Sequence, residues 1–148
     1  MPFDPFRLRV AVYGILSRND RTLLLRRSGT GYRDSQLSLP AGHLDGGEDA
    51  VSGLVRELRE EVAVEAEPAA CRLALVMHTA PETPEDREYL HLFFAVHRWH
   101  GEPAVAEPDK CSELLWADRS ALPGDVVDYV AEALAAIARG EPLALRGW

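Results

Sequence analysis

One stretch of the chain, residues 42–64, constrains the fold and the chemistry more than any other part. Its sequence is GHLDGGEDAVSGLVRELREEVAV. From residue 48 to residue 62 the apolar residues recur at the spacing of an amphipathic helix, so one face of that helix is buried against the rest of the protein. We predict that the helix begins near Gly47 and Glu48 and ends at Val62. The buried stripe consists of Ala50, Val51, Leu54, Val55, Leu58 and Val62.

The acidic residues of this helix lie on another face. Glu57, Glu60 and Glu61 stand at positions i, i+3 and i+4, which brings three carboxylates within reach of one another. Because like charges repel, the carboxylates either disperse in water or bind a partner that requires hard oxygen ligands. A divalent cation such as Mg²⁺ or Mn²⁺ is such a partner. The alternative is a solvated acidic face on a structural helix, which is the usual explanation of a charge run.

The same stretch resembles the signature of the Nudix hydrolases, which begins with a glycine and ends with a helix rich in glutamate. One position departs from the signature, because Ala63 stands where the family has glycine. Alanine resists the positive φ that glycine adopts freely, so we expect the end of the helix to be shaped differently. The matching residues are Gly42, Glu48, Arg56, Glu57, Leu58, Glu60, Glu61 and Val64.

The resemblance implies an α/β fold, the Nudix-type α/β/α sandwich with a mixed β-sheet between helices. It also implies a metal-dependent hydrolase that uses Mg²⁺, with Mn²⁺ as a substitute. Glu57, Glu60 and Glu61 are the implied metal ligands, with a backbone ligand from the carbonyl of Ala41 and support from Glu48 through water or a second metal. Arg56 is implied to orient the catalytic carboxylates, and a surface ion pair is its alternative role.

The general base stays open at this point. One of the helix glutamates can take the proton of the attacking water, or an acid from the loop at residues 81–88 can do so. That loop has the sequence PETPEDRE, and its alternative interpretation is a solvated hairpin loop. The candidates in it are Glu82, Glu85 and Glu88.

Candidate substrate contacts come from outside the helix. Tyr32 and Arg33 lie in a loop rich in glycine and serine, which is either a substrate-contacting segment or a plain surface connection. Trp116 and Tyr32 can stack on a base, although packing is the favoured role of Trp116 because it lies in a short apolar strand. Cys111 can line the pocket, but as a nucleophile it lacks a matched histidine. The five histidines have no zinc-like spacing.

Length and charge limit the classes of function. A chain of 148 residues suits a single domain over 1–148. The net charge of −8 argues against nucleic-acid binding and against an anionic membrane surface, because both require basic patches. Two cysteines are too few for a disulfide framework. The N-terminus, interrupted by Asp4, Arg7 and Arg9, offers no uninterrupted apolar core of signal-peptide type, and no segment reaches the length of a transmembrane helix. We therefore predict a cytoplasmic enzyme of small nucleotides.

The rest of the chain predicts further strands and a second helix. The first two strands form a hairpin around a short polar turn. The second helix is capped by Asp125 and ends at Arg139 and Gly140, and residues 141–148 are a tail whose apolar side chains either contact a second copy in a homodimer or fold back on the core. The predicted strands cover 6–17, 22–26, 72–79, 88–99 and 113–116.

The leading functional hypothesis is the hydrolysis of a nucleoside triphosphate to the monophosphate and pyrophosphate, similar to the MutT-like branch of the family. A second hypothesis keeps the chemistry but changes the substrate to ADP-ribose, a nucleotide sugar or a dinucleoside polyphosphate. A third is a nucleotide-sensing module without turnover. Such modules usually lose one or more metal glutamates, whereas all are present here.

Overall fold

A mixed β-sheet lies at the centre of the protein, and the structure, a computed structural model, describes residues 2–148. Strand β1 (Arg9–Arg18) runs through the middle of the sheet, parallel to β7 (Tyr89–Val96) and antiparallel to the short β4 (Ala41–His43). Strand β6 (Cys71–Thr79) pairs antiparallel with β7. Strand β10 (Leu143–Arg146) pairs parallel with β6 and forms the edge.

The far end of β1 leads into a second set of antiparallel strands. Strand β2 (Arg21–Arg27) follows β1 through a two-residue turn and pairs with β3 (Leu37–Ser38) and β9 (Cys111–Asp118). Both turn residues, Asn19 and Asp20, have positive φ (50° and 63°), the geometry that matches the twist of a tight hairpin. The predicted hairpin is therefore confirmed. A separate ribbon joins β5 (Glu65–Ala66) to β8 (Trp99–His100).

Two helices cover opposite faces of the sheet. Helix α1 (Ala50–Val62) packs on one apolar cluster and α2 (Asp128–Ala138) packs on the other. Leu54, Leu58 and Val62 of α1 are fully buried, and burial of each such side chain stabilises the fold by about 1.5–3 kcal/mol. This arrangement confirms the predicted sandwich. Within residues 2–148 no helix has both the length and the apolarity needed to span a membrane.

Helix α1 begins later than predicted. Asp49 has an extended backbone (φ −78°, ψ 166°), and its carboxylate accepts a hydrogen bond from the Ser52 amide at 2.9 Å. Asp49 is therefore the N-cap, and Ala50 is the first helical residue. The predicted start near Gly47 and Glu48 is wrong, because the hydrogen bond from the Ser52 amide holds Asp49 in an extended conformation just before the helix.

The end of α1 has the shape that a glycine would give it. Ala63 adopts the left-handed conformation (φ 58°, ψ 31°), and its amide donates to the carbonyl of Leu58. The expectation that alanine changes this helix end is therefore wrong. The surrounding structure holds the alanine in a conformation that is unfavourable for it.

Two other sequence predictions, the end of a strand and the cap of α2, also differ from the structure. The strand predicted over 88–99 ends at Val96, because the next amide, that of His97, donates to the carbonyl of Ala70 (3.0 Å) outside the sheet. Asp125 does not cap α2. Its carboxylate accepts a hydrogen bond from Arg26 at 2.6 Å, and α2 begins after Val127.

The predicted tail contains the edge strand β10. Its partner β6 is distant in the chain, so no local pattern announces the pairing. Leu143, Leu145 and Trp148 remain 53%, 64% and 65% exposed. A homodimer contact through them stays a prediction.

Candidate active site

Three glutamates of α1 line one cavity of about 580 Å³. Glu57, Glu60 and Glu61 share a helix face because their spacing matches the helical repeat. The buried apolar stripe on the other side fixes the rotation of the helix, so the carboxylates point away from the core.

Arg56 connects two of these carboxylates, those of Glu57 and Glu60, to Glu48. Its guanidinium donates to both oxygens of Glu48 at 2.7 and 3.0 Å, to Glu57 at 2.8 Å and to Glu60 at 3.3 Å. A further bond reaches the carbonyl of His43 at 3.3 Å. A planar guanidinium with several donors can hold several carboxylates in fixed positions. Arg56 is therefore the hub of the acidic cluster.

Glu48 contacts the site through Arg56 and lines neither of the two cavities described here. One of its oxygens also accepts a hydrogen bond from the Asp45 amide at 3.0 Å. The hydrogen bonds from Arg56 are the main reason that the pKa of Glu48 is lowered to about 2. Both oxygens of Glu48 accept hydrogen bonds from Arg56, and its support of the metal through water or a second metal stays a prediction.

Strand β4 turns the peptide groups of Ala41 toward the carboxylates. Hydrogen-bonded pairs alternate along an antiparallel ladder, and the Gly14 amide bonds the carbonyl of Pro40 at 2.9 Å. The amide and carbonyl of Ala41 therefore face away from β1. The amide donates to Glu61 Oε2 at 3.0 Å.

Gly42 leaves room for one of the glutamates. A Cβ atom built on Gly42 would overlap the carboxyl group of Glu57. Any other residue would push this carboxylate out of the cavity or separate α1 from β4. The spacing between Gly42 and Glu57 thus has a steric reason.

Burial and mutual repulsion raise the pKa values of two of the carboxyls. The pKa of Glu61 is raised to about 8, mainly by burial and further by the charges of Glu57 and Glu107, although the bond from the Ala41 amide opposes the shift. Burial also raises the pKa of Glu57, against the effect of Arg56. At both carboxyls, burial and neighbouring negative charges therefore outweigh the hydrogen bonds and positive charges that favour ionisation.

Asp45 and Asp109 also line the same cavity, and so does Glu107, which was not predicted. It lies in the loop between β8 and β9. The amides of Ala104 and Ala106 in this loop donate to the carbonyls of Val62 and Glu61 at 3.0 and 3.1 Å, which holds the loop against the end of α1. No local pattern marks Glu107, because its position depends on these tertiary hydrogen bonds.

The donor set of this cavity fits a hard divalent cation. Residues 2–148 contain no group of three His, Cys, Asp or Glu side chains already arranged as metal ligands. However, carboxylate and carbonyl oxygens are the ligands that Mg²⁺ and Mn²⁺ prefer, and a cation would compensate the charges that raise the pKa of Glu61. The residues able to hold it are Glu57, Glu60, Glu61 and Glu107, with the carbonyl of Ala41.

A second cavity of about 410 Å³ adjoins the first, and six aromatic or imidazole rings contribute to its lining. At its floor, His91 Nδ1 lies 2.9 Å from the Tyr13 hydroxyl, and Nε2 lies 3.1 Å from the Thr79 hydroxyl. Burial lowers the pKa of His91 to about 4, so the imidazole is neutral at physiological pH. The rings that line this cavity belong to Tyr13, Tyr32, His43, Tyr89, His91 and Tyr129.

The two cavities share four lining residues, which are Arg27, Thr30, Gly42 and His43. Arg27 donates to the carbonyl of Tyr32 at 2.8 Å and to the Thr30 hydroxyl at 3.2 Å. Among residues 2–148 it has no carboxylate within ion-pair distance. A guanidinium without an ion pair therefore lies between the acidic cavity and the aromatic cavity, and no local pattern in the sequence marks it.

The predicted substrate contacts divide into two pairs. Tyr32 lines the aromatic cavity and Cys111 lines the acidic one. Arg33 lines neither cavity and instead forms ion pairs with Glu82 and Asp128. Trp116 also lines neither, because its ring packs on Trp99 at 6.5 Å, which is the packing role that the sequence favoured.

None of the three loop acids predicted as candidate bases lines the acidic cavity. Glu82 lines the aromatic cavity and pairs with Arg33 and Arg146. Glu88 lies 3.5 Å from His78, and Glu85 is exposed. The loop acids that do line the acidic cavity are Asp45, Glu107 and Asp109.

Comparisons with known proteins agree with this geometry. A family model described as "NUDIX domain" matches residues 5–139. The 8-oxo-dGTP diphosphatase of Escherichia coli (strain K12) is 32% identical over 97 residues, which cover 66% of this chain and 71% of that protein.

Solved structures show the same fold. The MutT NUDIX hydrolase from Burkholderia pseudomallei superimposes with a TM-score of 0.79 at 25% identity, covering 88% of this chain and 98% of that one. The MutT protein from Methanosarcina mazei Go1 has a TM-score of 0.75 at 17% identity, covering 89% and 94%. At that identity the likeness concerns the fold alone.

Proposed function

This chain belongs to the NUDIX domain family and is a Nudix hydrolase, and from that premise we propose that it cleaves a phosphoanhydride bond in a nucleoside diphosphate derivative. The leading substrate is a nucleoside triphosphate, cleaved to the monophosphate and pyrophosphate. Mg²⁺ is the proposed cofactor, and Mn²⁺ is its substitute.

The observation that carries this proposal is the junction of the two cavities. An aromatic cavity of about 410 Å³ suits a base and its sugar, and the adjoining acidic cavity of about 580 Å³ suits metal-bound phosphates. Arg27 lies where the two meet, so it is placed to bind a phosphate next to the sugar. A substrate that spans the junction would have its phosphate chain beside the glutamates.

The acidic cavity would hold the metal through Glu57, Glu60, Glu61 and Glu107, with the carbonyl of Ala41. A bound divalent cation supplies charge neutralisation for the phosphates and makes hydroxide available near neutral pH. Arg56 keeps the carboxylates of Glu57 and Glu60 oriented through its hydrogen bonds. The proton of the attacking water passes to a carboxylate of this group, because no loop acid from residues 81–88 lines the cavity.

The experiment measures pyrophosphate and phosphate release from a panel of substrates with Mg²⁺, with Mn²⁺ and with a chelator. The panel contains the common nucleoside triphosphates, ADP-ribose, nucleotide sugars and 8-oxo-dGTP, because the relative from E. coli is named for the last of these. We expect metal-dependent pyrophosphate from at least one triphosphate. Cleavage of diphosphate conjugates alone would reassign the substrate, and binding without turnover across the panel would overturn the proposal.

A pair of loop variants tests the placement of the acidic site. Glu107→Gln removes one charge from the acidic cavity, whereas Glu85→Gln removes one from an exposed loop that lines neither cavity. We expect Glu107→Gln to raise the Mg²⁺ concentration needed for half-maximal activity, and Glu85→Gln to behave like the parent. Equal metal dependence in both variants would show that Glu107 does not contribute to metal binding.

A further inference from the structure

A group of charged side chains joins four separate segments around the aromatic cavity. The segments are the loop at residues 28–36, the loop at residues 80–88, the start of α2, and the edge strand β10. Each of them also contributes at least one residue to the wall of the cavity. We call this group the ion-pair clasp, and it consists of Arg33, Glu82, Asp128, Glu132 and Arg146.

Two acids of the clasp are each shared by two arginines. Glu82 Oε1 accepts from Arg33 at 2.9 Å and from Arg146 at 3.2 Å. Asp128 accepts from Arg33 at 3.1 Å through one oxygen and from Arg146 at 2.9 Å through the other. Arg146 also pairs with Glu132 at 3.0 Å. The arginine side chains are 20% and 25% exposed and their acidic partners 42% to 54%, so these pairs are partly buried.

The clasp acts directly on the backbone next to Tyr32. Arg33 has a positive φ of 53°, an uncommon conformation for a residue other than glycine, so the loop alone does not favour this shape. The guanidinium of Arg33 lies 5.6 Å from the Tyr32 ring and 5.9 Å from the Tyr129 ring. Anchoring Arg33 to α2 therefore determines where the adjacent Tyr32 ring lies.

We propose that the ion-pair clasp is a positioning device for the nucleoside: it holds the loop at residues 28–36 so that the Tyr32 ring closes one wall of the aromatic cavity. Tyr32 contacts the substrate in this scheme, while Arg33 and Asp128 act only through Tyr32 because neither lines the cavity. The C-terminal strand belongs to the substrate-binding apparatus through Arg146. The substrate contact rests on the proposed function, whereas the ordering of the loop does not.

Asp128→Asn and Arg33→Gln test the proposal, because each removes one charge of the clasp without altering a cavity wall. We expect either substitution to raise KM for the preferred nucleoside triphosphate by on the order of tenfold and to leave kcat within about twofold, less than the roughly 100-fold loss that misplaced reacting groups can cause. The double variant should raise KM by less than the product of the two single effects, because both substitutions break the Arg33–Asp128 pair while Arg33 also pairs with Glu82 and Asp128 with Arg146. Arg139→Gln is the matched control, because it breaks the Arg139–Glu141 pair at the other end of α2.

Hydrogen exchange provides a readout that needs no substrate. In the loop, the Ser35 amide bonds the carbonyl of Arg27 at 2.7 Å, and the Gly31 amide bonds Asp34 at 2.9 Å. We expect faster exchange at residues 28–36 in Asp128→Asn and Arg33→Gln, with unchanged exchange in α1 and unchanged exchange in Arg139→Gln.

The two readouts separate the possible failures. Loop exchange equal to that of the parent in both clasp variants overturns the proposal, whatever the kinetics show. Faster loop exchange with an unchanged KM also overturns it, because the ordered loop would then not position the nucleoside. If the parent hydrolyses no nucleotide, the proposed function fails, and the exchange result alone decides whether the clasp orders the loop.

Discussion

Replacing Ala63 with glycine should make the protein more stable. Ala63 lies at φ 58° and ψ 31°, a left-handed conformation that costs an L-residue with a Cβ roughly 1–2 kcal/mol. Glycine adopts it without strain but loses about 0.4–1 kcal/mol through the greater conformational freedom of the unfolded chain. The side chain is exposed, so the lost methyl group removes little buried area. The difference is a gain of about 0.5–1 kcal/mol in the free energy of unfolding.

Urea unfolding of the chelated protein measures this change, because removing the metal prevents ligand binding from masking it. A gain of about 1 kcal/mol corresponds to a rise in Tm of roughly 2–4 °C for a chain of this size. The matched control is Ala135→Gly, at an alanine that is also exposed but lies within α2, where glycine should cost about 1 kcal/mol. The same alanine-to-glycine change should thus raise the free energy of unfolding at residue 63 and lower it at residue 135. A loss of stability in Ala63→Gly similar to that in Ala135→Gly would refute the reasoning.

Three further predictions concern the site. Glu60→Gln and Glu61→Gln should each reduce turnover by orders of magnitude without changing the circular dichroism spectrum, and retained turnover in both would contradict the metal assignment. The pKa of Glu61 is raised from 4.5 to about 8, so between these pH values the native state binds a proton that the unfolded state does not. The stability of the chelated protein should therefore fall as the pH rises from 4.5 to 8 and level off above it. Urea titrations across that range should show a flatter pH dependence for Glu61→Gln. Arg27→Gln should raise KM for a triphosphate by roughly tenfold, the equivalent of one charged phosphate contact, and an unchanged KM in steady-state assays would place the phosphates elsewhere.

The sequence predicted best what depends on local geometry. The buried stripe and the carboxylates of Glu57, Glu60 and Glu61 follow from the helical repeat. The layered fold followed from the resemblance carried by the same helix. Local reasoning was less accurate at the ends of helices, where the hydrogen bond of a single side chain determines the first helical residue. Asp49 takes the cap and delays the start of α1, and Asp125 bonds Arg26 instead of capping α2.

The sequence by itself thus determined the family, the architecture and the helix that presents the acids. Only the tertiary structure brought Glu107 to those acids, placed Arg27 between two cavities, and turned the predicted tail into a strand whose Arg146 reaches Glu82 and Asp128. The physical reason is the range of the interactions. Spacing along a helix is set within a few residues, whereas these side chains meet because hydrogen bonds and strand pairings join segments that are distant in the chain.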